Sequence, residues 1–132
     1  MPLPERSKTM ARILIAEDDD IVRALLVRAL GGDGHDLIET ADGTTAFDAL
    51  NASKGGIDLL LSDVKMPGMD GIELALATGR YHPDTAIMLM TGHVDQRERA
   101  HDLDALVHEV ISKPFSVDQI TSAVREALVR RP

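Results

Sequence analysis

Apolar and polar positions along this chain follow two alternating rhythms. Short continuous apolar runs, Arg12-Ile13-Leu14-Ile15-Ala16, Leu59-Leu60-Leu61 and Ala86-Ile87-Met88-Leu89-Met90, each end in a polar or turn-forming cluster. Runs of that length, closed by acids, Pro or Gly, predict strands buried on both faces. Between them, apolar residues recur at helical spacing. Ile21, Val22, Leu25, Leu26, Ala29 and Leu30 form one stripe, which Gly31-Gly32 is expected to stop. Ala46, Phe47 and Leu50 mark a second helix broken at Gly55-Gly56, and Ile72, Ala75 and Leu76 a third, ending near Gly79 and His82-Pro83. A short strand is expected from Asp36 to Thr40, and a fifth from Leu106 to Ile111. A polar helix from about Asp95 to Asp102 has only Ala100 and Leu103 as apolar surface, so it is expected to be the least firmly held. The last helix opens at a Ser116–Gln119 capping box and is expected to bury Val117, Ile120, Val124 and Leu128.

Strands alternating with helices in this way make a parallel sheet covered on both faces by right-handed crossovers. The expected fold class is therefore α/β: a flavodoxin-like, doubly wound, five-stranded parallel sheet of order 2-1-3-4-5 with five helices. The 132 residues suffice for one domain with a proper core and not for two. That domain is placed at residues 11–130. Residues 1–10 lack the apolar centre of a signal peptide and are expected to be a disordered tail, or upstream sequence before a start at Met10.

Composition narrows the chemistry. With 22 acids against 14 bases the net charge is −8, which disfavours binding nucleic acid through a basic face. The absence of cysteine excludes disulfides, thiolate metal sites and a cysteine nucleophile. No apolar segment approaches the ~20 residues of a membrane span, and a cytoplasmic location is expected. No G-x-G-x-x-G follows the first strand, so a dinucleotide site is disfavoured.

Chemistry in parallel α/β sheets sits beyond the carboxyl ends of the strands. There the first strand supplies Glu17 and Asp18, the third Asp63, the fourth Thr91 and the fifth Lys113. Taken singly, an acid at a strand end caps a turn, and a lysine is a surface residue. Together, three carboxylates would repel one another unless a cation compensated them. Oxygen-only ligands with open positions suit Mg²⁺. A carboxylate beside that ion, with a lysine and a hydroxyl to meet anionic oxygens, is what an aspartyl-phosphate site requires.

These residues stand in four ordered motifs: Ile13-Leu14-Ile15-Ala16-Glu17-Asp18-Asp19, Leu61-Ser62-Asp63-Val64-Lys65-Met66-Pro67-Gly68-Met69-Asp70-Gly71, Met90-Thr91-Gly92 and Ser112-Lys113-Pro114-Phe115. In them the chain resembles the receiver domain of two-component response regulators. The resemblance implies that Asp63 accepts a phosphoryl group from a phosphohistidine on a histidine kinase or histidine phosphotransferase. It further implies that Glu17, Asp18 and Asp63, with the backbone carbonyl of Lys65, hold Mg²⁺. Thr91 and Lys113 would bind the phosphoryl oxygens, and the Lys113–Pro114 bond would be cis. Such a module promotes its own phosphorylation and dephosphorylation without being a conventional enzyme. Nothing follows Pro132, so the expected output is contact with a downstream protein, by a monomer or a phosphorylation-dependent dimer, with no nucleic acid or membrane partner.

Two positions depart from that family's pattern. Val110 stands where an aromatic ring usually swings inward, and Leu106-Val107 replaces a common Gly-Ala pair. Both bear on output, not on phosphorylation. His93 and Lys65, two residues after Thr91 and Asp63, are read either as the rim of the site or as exposed loop residues. His35, His82, His101 and His108 show no metal spacing and are read as surface residues. A haloacid-dehalogenase-type phosphatase also forms an aspartyl phosphate. It places a second Asp two residues after the nucleophile, where this chain has Lys65, and no cap domain is present. A degenerate receiver would have lost a site residue, and none is lost.

Overall fold

The computed structural model describes residues 11–92, 98–100, 103 and 105–130. The expected tail, His93, His101 and most of the expected polar helix lie outside the described residues. The chain runs β1 (Arg12–Ala16), α1 (Asp20–Gly32), β2 (Asp36–Thr40), α2 (Gly43–Ser53), β3 (Leu59–Asp63), α3 (Gly71–Tyr81), β4 (Ala86–Thr91), helical residues at 98–100 (α4), β5 (Glu109–Ser112) and α5 (Val117–Arg130). The strands form one five-stranded sheet of order β2-β1-β3-β4-β5. All four ladders are parallel. Among the described residues no helix is long and apolar enough to cross a membrane.

Side chains alternate across a strand, so each continuous apolar run feeds two cores. Leu14, Leu60, Ile87 and Leu89 face α2 and α3 with Ala46, Leu50, Leu74 and Ala75. Ile13, Ile15, Leu59, Leu61, Met88 and Met90 face α1 and α5 with Leu26, Leu30, Ile120 and Val124. The ladders bring Ile15 beside Leu61, Leu61 beside Met88, Asp63 beside Met90 and Thr91 beside Ser112. This register aligns the carboxyl ends on one edge of the molecule.

Several elements differ from the expectation. Gly31 and Gly32 lie inside α1, and the helix ends only when Asp33 N–H and Gly34 N–H turn back to the carbonyls of Leu30 and Gly31. Gly34 takes φ 91°, a left-handed conformation that glycine adopts without steric cost. The strand expected at Leu106 begins at Glu109. The N–H groups of Leu106 and Val107 both donate to the carbonyl of Leu103, so neither is free to join a ladder. Pairing starts as His108 N–H reaches the carbonyl of Ile87. Four stripe residues expected inside, Ile21, Leu25, Leu76 and Val117, are exposed. The helices contact the sheet along strips narrower than their apolar stripes, and Leu74 and Ala127 are buried instead. The Ser116–Gln119 capping box is present, with reciprocal bonds of 2.7 and 3.0 Å.

His35 is a further correction, because it is buried, not on the surface. Its Nδ1 accepts a hydrogen bond from Ala11 N–H at 3.3 Å, while Nε2 is enclosed with no hydrogen-bond partner. The nearest carboxylate, Asp33, lies 3.7 Å away and is already engaged by the Arg125 guanidinium of α5. Burial pushes the His35 pKa down, and the Asp33 charge opposes this only in part. A histidine whose folded pKa is depressed favours the native state above the ordinary value of about 6.5, and that contribution is lost as pH falls below it. His35→Asn, which keeps an acceptor for Ala11 without a titrating ring, should therefore flatten the decline in the urea midpoint between about pH 7 and 5.5. A decline as steep as in the wild type would place its source elsewhere.

Candidate functional site

β3 carries Asp63 to the sheet edge because Leu59 to Ser62 are wholly buried and fix the strand on both faces. The chain then stays in register for one more residue, Val64 N–H donating to the Met90 carbonyl at 2.9 Å. Gly71 N–H donates to the Val64 carbonyl at 2.8 Å and closes the loop. Asp70 starts α3 through a capping box with Glu73.

β1 ends in four acids that the fold sorts into separate roles. Glu17 is fully buried, and its carboxylate accepts from Asp19 N–H at 3.1 Å. Asp18 is exposed. Asp19 caps α1 by accepting from Ile21 N–H and Val22 N–H at 2.9 and 3.2 Å. Asp20 opens α1 and pairs with Arg23, whose guanidinium also donates to the Glu17 carbonyl oxygen at 2.8 Å. Arg23 is not among the residues expected at the site. Its three-residue offset from Asp20 on one helix was the available signal.

The carboxylate oxygens of Glu17, Asp18 and Asp63 come within 4.8 Å of one another. Lys113, beyond β5, reaches into the same place. Its Nζ stands 2.7 Å from Glu17 Oε1 and 3.3 Å from Asp63 Oδ1. The Lys113–Pro114 peptide is cis. These groups line an open cleft of about 460 Å³ together with Lys65 and Gly92. Thr91 does not line it. This residue is buried as the last of β4, and its carbonyl accepts from Lys113 N–H at 2.8 Å. The structure thus gathers Glu17, Asp18, Asp63, Lys65 and Lys113, with Thr91 at the strand end beside them.

Burial pushes the carboxyls of Glu17 and Asp63 above their ordinary range, and the hydrogen bonds and charge of Lys113 offset it only in part. Burial would lower Lys113, yet its bond to Glu17 and the nearby acidic charges hold it above the usual lysine value. Lys113 thus serves two of the acids, and the cleft, lined by four acids and two lysines, keeps an excess of negative charge. A cluster of carboxylate oxygens at this spacing suits a hard divalent cation such as Mg²⁺.

The response regulator receiver domain family matches residues 13–125 of the chain. The chain is 35% identical over 120 residues to response regulator receiver protein CpdR of Brucella abortus, covering 91% of this chain and 98% of that protein. It is also 35% identical over 120 residues to transcriptional regulatory protein TcrA of Mycobacterium tuberculosis, but spans only 46% of that protein's length. Among solved structures, response regulator protein TrrA of Thermotoga maritima, in complex with Mg²⁺ and BeF, aligns with a TM-score of 0.79. That alignment has 27% identity and covers 89% of this chain and 99% of the other.

Proposed function

The chain belongs to the response regulator receiver domain family of two-component signalling, and from that premise we propose that Asp63 is its phosphoacceptor. An Asp63 carboxylate oxygen attacks the phosphorus of a phosphohistidine. The P–O bond of an acyl phosphate forms as the P–N bond breaks, and the departing imidazole takes up a proton. The donor is a histidine kinase or a histidine phosphotransferase. The phosphorylated module signals through contact with a downstream protein.

Such a transfer asks the protein mainly for alignment and charge. Lys113 is assigned to neutralise the phosphoryl oxygens and Thr91 to donate a hydrogen bond to them. Glu17, Asp18 and Asp63 with the backbone carbonyl of Lys65 are assigned to hold Mg²⁺, which when bound supplies further positive charge at those oxygens. The observation that carries this reading is the bridge from Lys113 Nζ to Glu17 and Asp63, 2.7 and 3.3 Å long, at a cleft crowded with carboxylate. A lysine there has one carboxylate to keep and one to release to an incoming anion.

The test compares two neighbouring acids. In the wild type, saturating Mg²⁺ should raise stability by ~1–3 kcal/mol by mass action, read as a thermal shift. Asp18→Asn should remove most of that gain and slow phosphorylation by acetyl phosphate. Asp20→Asn should do neither, because Asp20 is committed to Arg23. The pH dependence has a fixed sign. Carboxyls with raised folded pKa values favour the native state when protonated, and that contribution is lost as pH rises through them. Mg²⁺ selects the ionised form, so its stabilising effect should grow from about pH 5 to 7.5. Equal effects of the two substitutions would remove Asp18 from the metal site.

A further inference from the structure

We propose that His108, Glu109 and Glu126 form a second metal site, separate from the acidic cleft and suited to Zn²⁺. His108 is fixed at the edge of the sheet by its N–H bond to the Ile87 carbonyl, and Glu109 opens β5 opposite Met88. Glu126 projects from α5. One ligand atom from each comes within 4.8 Å of the other two, and His108 Nε2 lies 4.0 Å from Glu126 Oε1. Glu109 and Glu126 line a groove of about 470 Å³ between β5 and α5 that shares no lining residue with the acidic cleft.

Charge and donor chemistry point the same way. Among residues 11–92, 98–100, 103 and 105–129, neither Glu109 nor Glu126 has a lysine or arginine partner, so two carboxylates converge on one imidazole without a fixed cation from those residues. A bound divalent ion would relieve that repulsion. One imidazole nitrogen with two carboxylates, and room for water at the remaining positions, matches the ligand preferences of Zn²⁺. Mg²⁺ prefers oxygen alone, so the two sites should sort the two ions. His108 and Glu109 are partly buried while Glu126 is exposed, so one ligand can close over an ion held by the other two.

The full chain is titrated with ZnCl₂ by calorimetry in excess Mg²⁺. The wild type should bind one Zn²⁺ more than His108→Asn does. Glu126→Gln, at an exposed helical position, should weaken the same event by about tenfold or more. Asp18→Asn should retain it. In the unmodified protein, Zn²⁺ should shift the imidazole NMR signals of His108 and leave those of buried His35 in place, a result that does not depend on any variant folding. Titrations identical across wild type, His108→Asn and Glu126→Gln would overturn the proposal. So would an unperturbed His108 ring, or zinc binding lost only in Asp18→Asn.

Discussion

Asp63→Ala should take up no phosphoryl group from acetyl phosphate or phosphoramidate with Mg²⁺, whereas the wild type gains one, labile at alkaline pH, by intact mass. The loss should be complete because no neighbouring acid can substitute. Glu17 is fully buried and bonded to Lys113, and Asp19 and Asp20 are committed to capping α1 and to Arg23. Asp18 is exposed and follows β1, not the strand that ends at Asp63 beside Lys113. A stability measurement separates loss of the acceptor from loss of the fold. Burial makes the ionised Asp63 carboxylate unfavourable in the native state, as its raised pKa records. Without Mg²⁺, Asp63→Ala should therefore melt at or above the wild-type temperature, and it should respond weakly to added Mg²⁺. Phosphoryl uptake by this variant would end the assignment of Asp63.

Gly71→Ala should cost about 3 kcal/mol of stability, in line with overpacking of a rigid interior, and should cripple the site although Gly71 carries no chemistry. A Cβ on Gly71 would lie 2.1 Å from the Asp63 carbonyl oxygen and 2.8 Å from Val64 Cα. These are backbone atoms held in the β3–β4 ladder and cannot swing aside. Gly43, at the start of α2, meets the loop from the other side, with its would-be Cβ 2.2 Å from the Met69 carbonyl oxygen. The loop after Asp63 is thus pressed between the N-terminal ends of α2 and α3, where only glycine leaves room. Relieving the Gly71 clash must push the end of β3, and with it the Asp63 carboxylate, away from Lys113. Gly32→Ala is the control. Nothing lies within 4 Å of its would-be Cβ, and alanine in the last turn of α1 should gain about 0.5 kcal/mol. Matching urea midpoints for the two variants would refute the close-packed loop.

The sequence by itself determined the class of fold, the three central strands and the edge on which the polar residues meet. Those follow from local regularities. A continuous apolar run buried on both faces needs helices on both sides, and the connection rule then leaves few strand orders. Glu17, Asp18, Asp63 and Lys113 were legible because each stands within two residues of the end of an expected strand.

Only the tertiary structure decided what faces what. The Lys113–Glu17 bond joins residues 96 apart in sequence, and nothing in either neighbourhood specifies its length. The start of β5 moved because a turn at Leu103 claimed the amides that periodicity had given to the strand. His35 read as a surface residue, yet it is buried beside Asp33, which Arg125 of α5, remote in sequence, engages. His108 showed no metal spacing because its proposed fellow ligand Glu126 arrives on another element. Periodicity records which side of an element is apolar. Which group stands across from it depends on helix packing and on the few positions where backbones touch.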